Sequence, residues 1–329
     1  MLCGFPAAHA EELQPTRIAL TREASSAPLF VAGTAGYFKT ERLDPQLAFL
    51  ESDAAVSEAV AADKADIGLV SLSAAIYGFA STHGLKMIAS RSSDKAGFPM
   101  YALLISKKAH AAGFSDVREL PHARIGVGGT DSGAYYALFA VASRFRLDPA
   151  SINAILLASP AGEVEALSRG EIDAALLPIA TALHSMRQGD WVLRLSDFAE
   201  WQQGVVFTTA EKITTKRELI ERFIRAYQRG TAEYELNFLR YDDAGNFIPG
   251  AHYTEYLDVI ASEAKVSRDM LVQTKSYCDR RANLDSADIE NQVRFWQAHG
   301  RLDNGVVAAE LTDLSFIGEE GIAPQSAGD

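Results

Sequence analysis

The chain has 329 residues, enough for two domains, and a hydrophobic fraction of 48%, ordinary for a globular protein. Its net charge is −12 and it has no cluster of Lys and Arg, which argues against a nucleic-acid partner. No apolar stretch approaches the length needed to span a bilayer. Residues 1–14 read as a leader, because Ala8-His9-Ala10 has the small-x-small form of a signal-peptidase site. A basic start and a full apolar core are missing, so the segment is either the tail of a truncated signal peptide or an ordinary N-terminus. Loss of the leader would remove Cys3 and leave Cys278 alone. A lone cysteine forms neither an internal disulfide nor a zinc site, and no metal or cofactor is expected.

The first strand is expected at Arg17-Ile18-Ala19-Leu20-Thr21. Ser25 or Ser26 then caps a helix with Pro28 in its first turn. A strand is read at Leu47-Ala48-Phe49-Leu50, a helix over 55–62, a strand at Ile67-Gly68-Leu69-Val70 and a helix over 73–80. Leu85-Lys86-Met87-Ile88-Ala89 returns as a strand, which puts Arg91 just past its end. A crossing strand follows near 100–104. A second unit opens with Arg124-Ile125-Gly126-Val127, the turn Gly128-Gly129-Thr130-Asp131-Ser132-Gly133 and a helix over 134–146. Further strands are expected at Ile155-Leu156-Leu157 and Ala174-Ala175-Leu176-Leu177, and a second crossing near 204–208. The rest is helical, with a capping box from Thr215 and Glu218 and helices over 253–264 and 286–299, the last stopped by Gly300. Alternating short strands and helices imply parallel α/β sheets.

The two units repeat each other. Glu58-Ala59-Val60 through Val70 aligns without gaps with Glu165-Ala166-Leu167 through Leu177, at an offset of 107 positions. The same offset pairs Arg17-Ile18 with Arg124-Ile125, Ser25 with Ser132, Ala27 with Ala134 and Ser52 with Ser159. Tandem similar units fold as similar lobes, and a ligand cleft commonly lies between lobes.

These motifs resemble a known family. Pro28-Leu29-Phe30-Val31-Ala32 with Gly36-Tyr37-Phe38, Asp66-Ile67-Gly68, Lys86-Met87-Ile88-Ala89, Leu147-Asp148-Pro149, Gly170-Glu171-Ile172-Asp173 and Leu311-Thr312-Asp313-Leu314-Ser315-Phe316 carry the resemblance. In this order they look like the periplasmic solute-binding proteins of ABC importers, in the group that takes up sulfonates, nitrate and thiamine pyrimidine precursors. The resemblance implies a two-lobed type II periplasmic-binding-protein fold: lobe 1 over 15–101 and 206–329, lobe 2 over 102–205. It also implies an exported, monomeric protein that passes a small organic anion to a membrane permease. Two departures stand out. Val117-Arg118-Glu119-Leu120-Pro121-His122-Ala123-Arg124 replaces the family's Asp-Leu-Lys-Gly-Lys turn. Ser71-Leu72-Ser73-Ala74 replaces the Gly-Ser-Ser-Pro of sulfonate binders, against a plain alkanesulfonate.

Ligands of open α/β sheets bind outside the carboxyl ends of strands. Ser25, Ser26, Ser71, Thr130, Ser132 and Ser159 are therefore expected to donate to an anion, some of them at helix N-termini. Each could equally be a plain cap. Arg91 is expected to clamp a carboxylate, unless it is a solvated surface residue. Phe98 is expected to stack on the ligand, with Met100, Tyr101, Tyr135, Tyr136 and Trp201 near the cleft. If Ser132 holds the ligand, Ser132→Ala weakens binding roughly ten- to a hundredfold; if it is a cap, only stability falls. The sequence lacks His-Glu-x-x-His, Cys-x-x-Cys and Gly-x-Ser-x-Gly, so catalysis of the menaquinone-pathway or pyrimidine-synthase kind is the second reading. A ligand-sensing lobe pair of a regulator is the third.

Overall fold

The computed structural model describes residues 12–317, so Cys3 and the Ala8-His9-Ala10 leader lie outside the described residues. In chain order the strands are β1 (Gln14–Leu20), β2 (Leu43–Phe49), β3 (Ile67–Ser71), β4 (Leu85–Asp94), β5 (Tyr101–Ile105), β6 (Arg124–Val127), β7 (Asn153–Leu156), β8 (Ala174–Pro178), β9 (Trp191–Arg194) and β10 (Trp201–Thr209). They form two five-stranded sheets, ordered β2-β1-β3-β10-β4 and β7-β6-β8-β5-β9. The two orders are the same pattern, as the repeat requires.

The repeat anchors are structural partners. Arg17 grips Asp66 with its backbone N–H and Nε at 3.0 Å to Oδ2 and Nη2 at 2.8 Å to Oδ1. Arg124 grips Asp173 the same way at 2.9, 3.0 and 2.9 Å. Each pair ties the first strand of its unit to the residue before the third. The Asp66 carboxyl is pushed up by burial, but the Arg17 and Lys216 bonds outweigh this and hold it well below the usual carboxylate range.

Neither sheet is wholly parallel, contrary to the expectation. β10 runs antiparallel to β3 and β4, and β5 antiparallel to β8 and β9. Each of these strands has just arrived from the other sheet, so it enters at the cleft end and runs against its neighbours. The crossings occupy 95–100 and 195–200, slightly earlier than expected, because 101–105 and 201–209 are already paired strands.

Helices cover the sheets. In chain order, α1 is Ala27–Thr34, α2 Tyr37–Thr40, α3 Asp53–Ala61, α4 Ala74–His83, α5 Lys107–Ala111, α6 Gly133–Arg144, α7 Pro160–Arg169 and α8 Ile179–Ser185. The chain beyond the second crossing adds α9 (Ala210–Thr215), α10 (Arg217–Phe238), α11 (Tyr253–Ala264), α12 (Arg268–Gln273) and α13 (Ser286–Ala298). The long α10 packs its Leu219, Ile220, Phe223, Ile224 and Tyr227 face with α1 on the first sheet. The expected capping box does not form: Thr215 ends α9 and donates to the Glu211 carbonyl instead. No described helix is long and apolar enough to cross a membrane.

Candidate site between the lobes

The carboxyl ends of β1 and β3 deliver the first polar groups. After β1 the chain turns through Thr21, Arg22 and Glu23 into a 3-10 turn over Ala24–Ser26, and β3 ends at Ser71. Arg91 reaches them from the far side of the sheet. Gly204 of β10 pairs with Ser92, and Val205 with Ser90, so Arg91 is the extra residue of a β-bulge. The bulge turns its side chain across β10, where position 204 must lack a side chain: a Cβ there would lie 2.6 Å from Arg91 Nε. Arg91 therefore sits inside β4, not past its end as expected, and is fully buried.

Its Nη2 donates to Ser71 Oγ at 2.7 Å and to Glu23 Oε2 at 3.0 Å. Ser25 donates to the same Glu23 oxygen at 3.0 Å, and Thr21 to Oε1 at 3.0 Å. Burial alone would raise the Glu23 pKa, but the Arg91 charge and these hydroxyl bonds bring it below the ordinary value. Close by, Asp53 accepts from the Ser71 backbone N–H at 3.3 Å, and burial pushes its carboxyl up to about 6.

A cavity of about 340 Å³ opens beside this cluster. Glu23, Ser25 and Ser71 line it from the first lobe, with Gln203; Tyr101 and Ile179 face them from the second. Ser92 fixes the Gln203 amide by donating to its Oε1 at 3.0 Å, which leaves the NH2 pointing to Tyr101 Oη at 3.4 Å. Thr274 and Ser276, in the segment after α12, complete the wall. The lobes also meet directly outside this cavity. The Ala74 N–H at the start of α4 donates to the Asp131 carbonyl at 3.0 Å, and Gly133 approaches the Leu72 carbonyl so closely that a Cβ would lie 3.0 Å from it.

Of the residues expected at the ligand, Ser25 and Ser71 line the cavity and Arg91 backs it. Ser26 is fully buried with its hydroxyl unpaired, and it caps α1 without a side-chain bond. Thr130 borders a different recess of about 740 Å³ with Gly128, Ala74 and Arg301. Ser132 and Ser159 are helix caps. Ser132 accepts from the Tyr135 N–H at 3.3 Å and donates to the Gly129 carbonyl at 2.9 Å, while exposed Ser159 accepts from the Gly162 N–H at 3.2 Å. Phe98 packs on Tyr241 and Tyr277, with ring centroids 5.9 and 6.0 Å away, rather than on the cavity. Tyr136 is core, and Trp201 is buried at the start of β10. Sequence reasoning passed over Glu23, Gln203 and Asp53. Glu23 could have been found, since it stands two residues from Ser25 in the same strand-end turn.

The NMT1/THI5-like family profile matches residues 23–235, more than half of the chain. The chain belongs to the NMT1/THI5-like family. No curated protein matches it in sequence. Among solved structures it is similar to the periplasmic aliphatic sulphonate binding protein SsuA from Escherichia coli, with a TM-score of 0.69 at 11% identity over 96% of this chain and 97% of that one. It is also similar to the alkanesulfonate-binding protein SsuA from Xanthomonas axonopodis pv. citri bound to MOPS, with a TM-score of 0.61 at 15% identity over 93% and 100%. The desulfurization enzyme DSZB shares the fold at a TM-score of 0.60 and 10% identity over 92% and 97%. This family member therefore has the two-lobed type II periplasmic-binding-protein fold that the sequence implied, a fold shared by importer components and at least one enzyme.

Proposed function

We propose that this chain is the extracytoplasmic solute-binding protein of an ABC importer, and that it takes up a small organic solute without changing it chemically. The observation that carries this reading is the cavity between the lobes, walled by polar groups of the first and by Tyr101 and Ile179 of the second, with the lobes also meeting at the Ala74–Asp131 bond. A site built from both lobes gains contacts only when they close, so the solute selects the closed state by its differential affinity. The similar sulfonate-binding proteins support the same role. The paired strands move the expected lobe bounds slightly: lobe 1 would comprise about 14–100 and 201–329, and lobe 2 about 101–200, with the residues before β1 as the leader that directs export. A monomer would deliver the solute to a membrane permease.

The sequence points to an anion, and the sulfonate binders favour one. At the strand-end turn, however, the Glu23 carboxylate already occupies the place among Ser25, Ser71 and Arg91 that an anion would take. An anionic group could bind there only by displacing it.

Thermal-shift screening of small carboxylates, sulfonates, amines and neutral amides tests the role. A solute that raises the melting temperature and is recovered unaltered supports capture. Turnover of that solute to a new product would replace this reading with an enzymatic one, and an unexported protein in cell fractionation would remove the importer role.

A further inference from the structure

The charge that the cavity presents defines a solute class, an inference that rests on the capture role proposed above. Arg91 is fully buried, whereas the Glu23 side chain is 37% exposed. A solute entering between the lobes therefore meets the carboxylate, with the guanidinium closed off behind it. Four donors hold Glu23 in place: Arg91, Ser25 and, at 3.5 Å, Ser71 on Oε2, and Thr21 on Oε1. Oε1 takes only the Thr21 bond among these, so it retains acceptor capacity.

The surroundings add acceptors. A neighbouring recess of about 530 Å³ shares Arg22 and Glu23 with the cavity and contributes Glu51 and Asp53. Asp53 Oδ1 is buried without a hydrogen-bond partner. The cation on this wall, Arg22, is committed elsewhere: its guanidinium lies 3.8 Å from the centre of the Phe49 ring and donates to the Glu263 carbonyl at 2.8 Å. A bare anionic group placed here would face Glu23 and Asp53, while the buried Arg91 guanidinium is tied to Glu23 and Ser71 through Nη2 and its unpartnered Nε and Nη1 are turned away from solvent inside the fold. Like charges in a desolvated site repel strongly.

We propose that the end of the solute entering between the Glu23 turn and Ser71 carries positive charge and hydrogen-bond donors, as an ammonium or amidinium does, and that Glu23 is the specificity-determining residue that holds it. A planar amidinium suits the carboxylate because two N–H groups can donate in parallel.

The test uses four probes of one shape and different charge: benzamidine, benzamide, benzoate and benzenesulfonate. Each is titrated calorimetrically into the full chain, wild type and Glu23→Gln. The wild type should bind benzamidine at least about tenfold more tightly than benzoate or benzenesulfonate. In Glu23→Gln, which keeps the shape and removes the charge, that preference should disappear. Ala180→Trp, which narrows the cavity wall, should abolish binding of benzamidine and so locate it. Wild-type protein that prefers benzoate or benzenesulfonate overturns the charge assignment and leaves capture standing. A benzamidine preference that survives Glu23→Gln overturns the role of Glu23. If Glu23→Gln fails to fold, the wild-type ranking alone decides the charge. Protein that binds none of the four at about 10 mM, and no solute in the wider screen, overturns capture itself.

Discussion

Arg91 lies flat across β10 because position 204 has no side chain, so one glycine sets the position of the cation behind the cavity. Gly204→Ala would place a methyl group against Arg91 Nε and the Val70 carbonyl. Overpacking of this kind costs about 1–3 kcal/mol, and a urea titration should show it as a lower midpoint. Solute affinity should fall too, since the displaced guanidinium no longer steadies Glu23 and Ser71. The sequence left two roles open for Ser132, ligand donor or helix cap. Ser132 uses its hydroxyl to cap α6, donating to Gly129 and accepting from Tyr135. Ser132→Ala should therefore lower stability by about 0.5–2 kcal/mol, the cost of a lost cap, and leave solute affinity unchanged in calorimetry. A tenfold loss of affinity at unchanged stability would restore Ser132 to the site. Both serines of the Ser52/Ser159 repeat pair are caps as well. Two copies of a serine at one place in a repeat report a shared helix start before they report a ligand.

Elements are joined across the lobes by a buried polar network on α13. Tyr136 of α6 donates to Asp288 Oδ1 at 2.6 Å, and Asp288 Oδ2 accepts from the Gln202 N–H and the Gln292 side chain, both at 2.8 Å. Gln292 in turn accepts from Tyr77 of α4 at 3.1 Å. Phe295 packs edge-on against the Tyr136 ring at 5.3 Å, and Trp296 lies tilted to it at 6.3 Å. One helix from beyond the second crossing thus holds α4 of the first unit and α6 of the second. Tyr136→Phe removes one bond to a buried carboxyl and should cost about 1–3 kcal/mol, measured by chemical denaturation. It should also loosen the docking of α6 on α13, visible as faster amide exchange in α6. Unchanged stability would mean that water or another donor replaces the phenol. The helical pattern of both elements is readable in sequence, but their contact is not. It joins residues 152 positions apart, and nothing in either helix names its partner.

For the molecule as a whole, buried carboxyls set the response to pH. Asp94, at the end of β4 beside the first crossing, is fully buried and accepts from the Met100 N–H at 3.2 Å. Burial pushes its pKa up to about 8, and burial likewise takes Glu163 to about 7. In the unfolded chain these groups lose their protons near about 4. Between those values the folded state binds more protons, so stability falls as pH rises. Asp66 works in the opposite sense, but its contribution is complete above about pH 4 and is lost only in acid. The melting temperature should therefore be higher at pH 5 than at pH 8. Asp94→Asn, which keeps the acceptor for Met100, should flatten that decline; equal melting temperatures at the two pH values would show that Asp94 is not protonated in the fold. The sequence by itself determined the two-lobed architecture, because strand and helix periods are local and the 107-residue repeat copies them into both units with their Arg–Asp clasps. It also singled out Ser25, Ser71 and Arg91, since strand ends are legible from the same periods. Only the tertiary structure decided what these residues face. A bulge at Arg91, a glycine 113 positions further on and a carboxylate from another strand end meet at one point, and their meeting turns an expected anion clamp into a buried cation, tied through Nη2 to the acid in front of it.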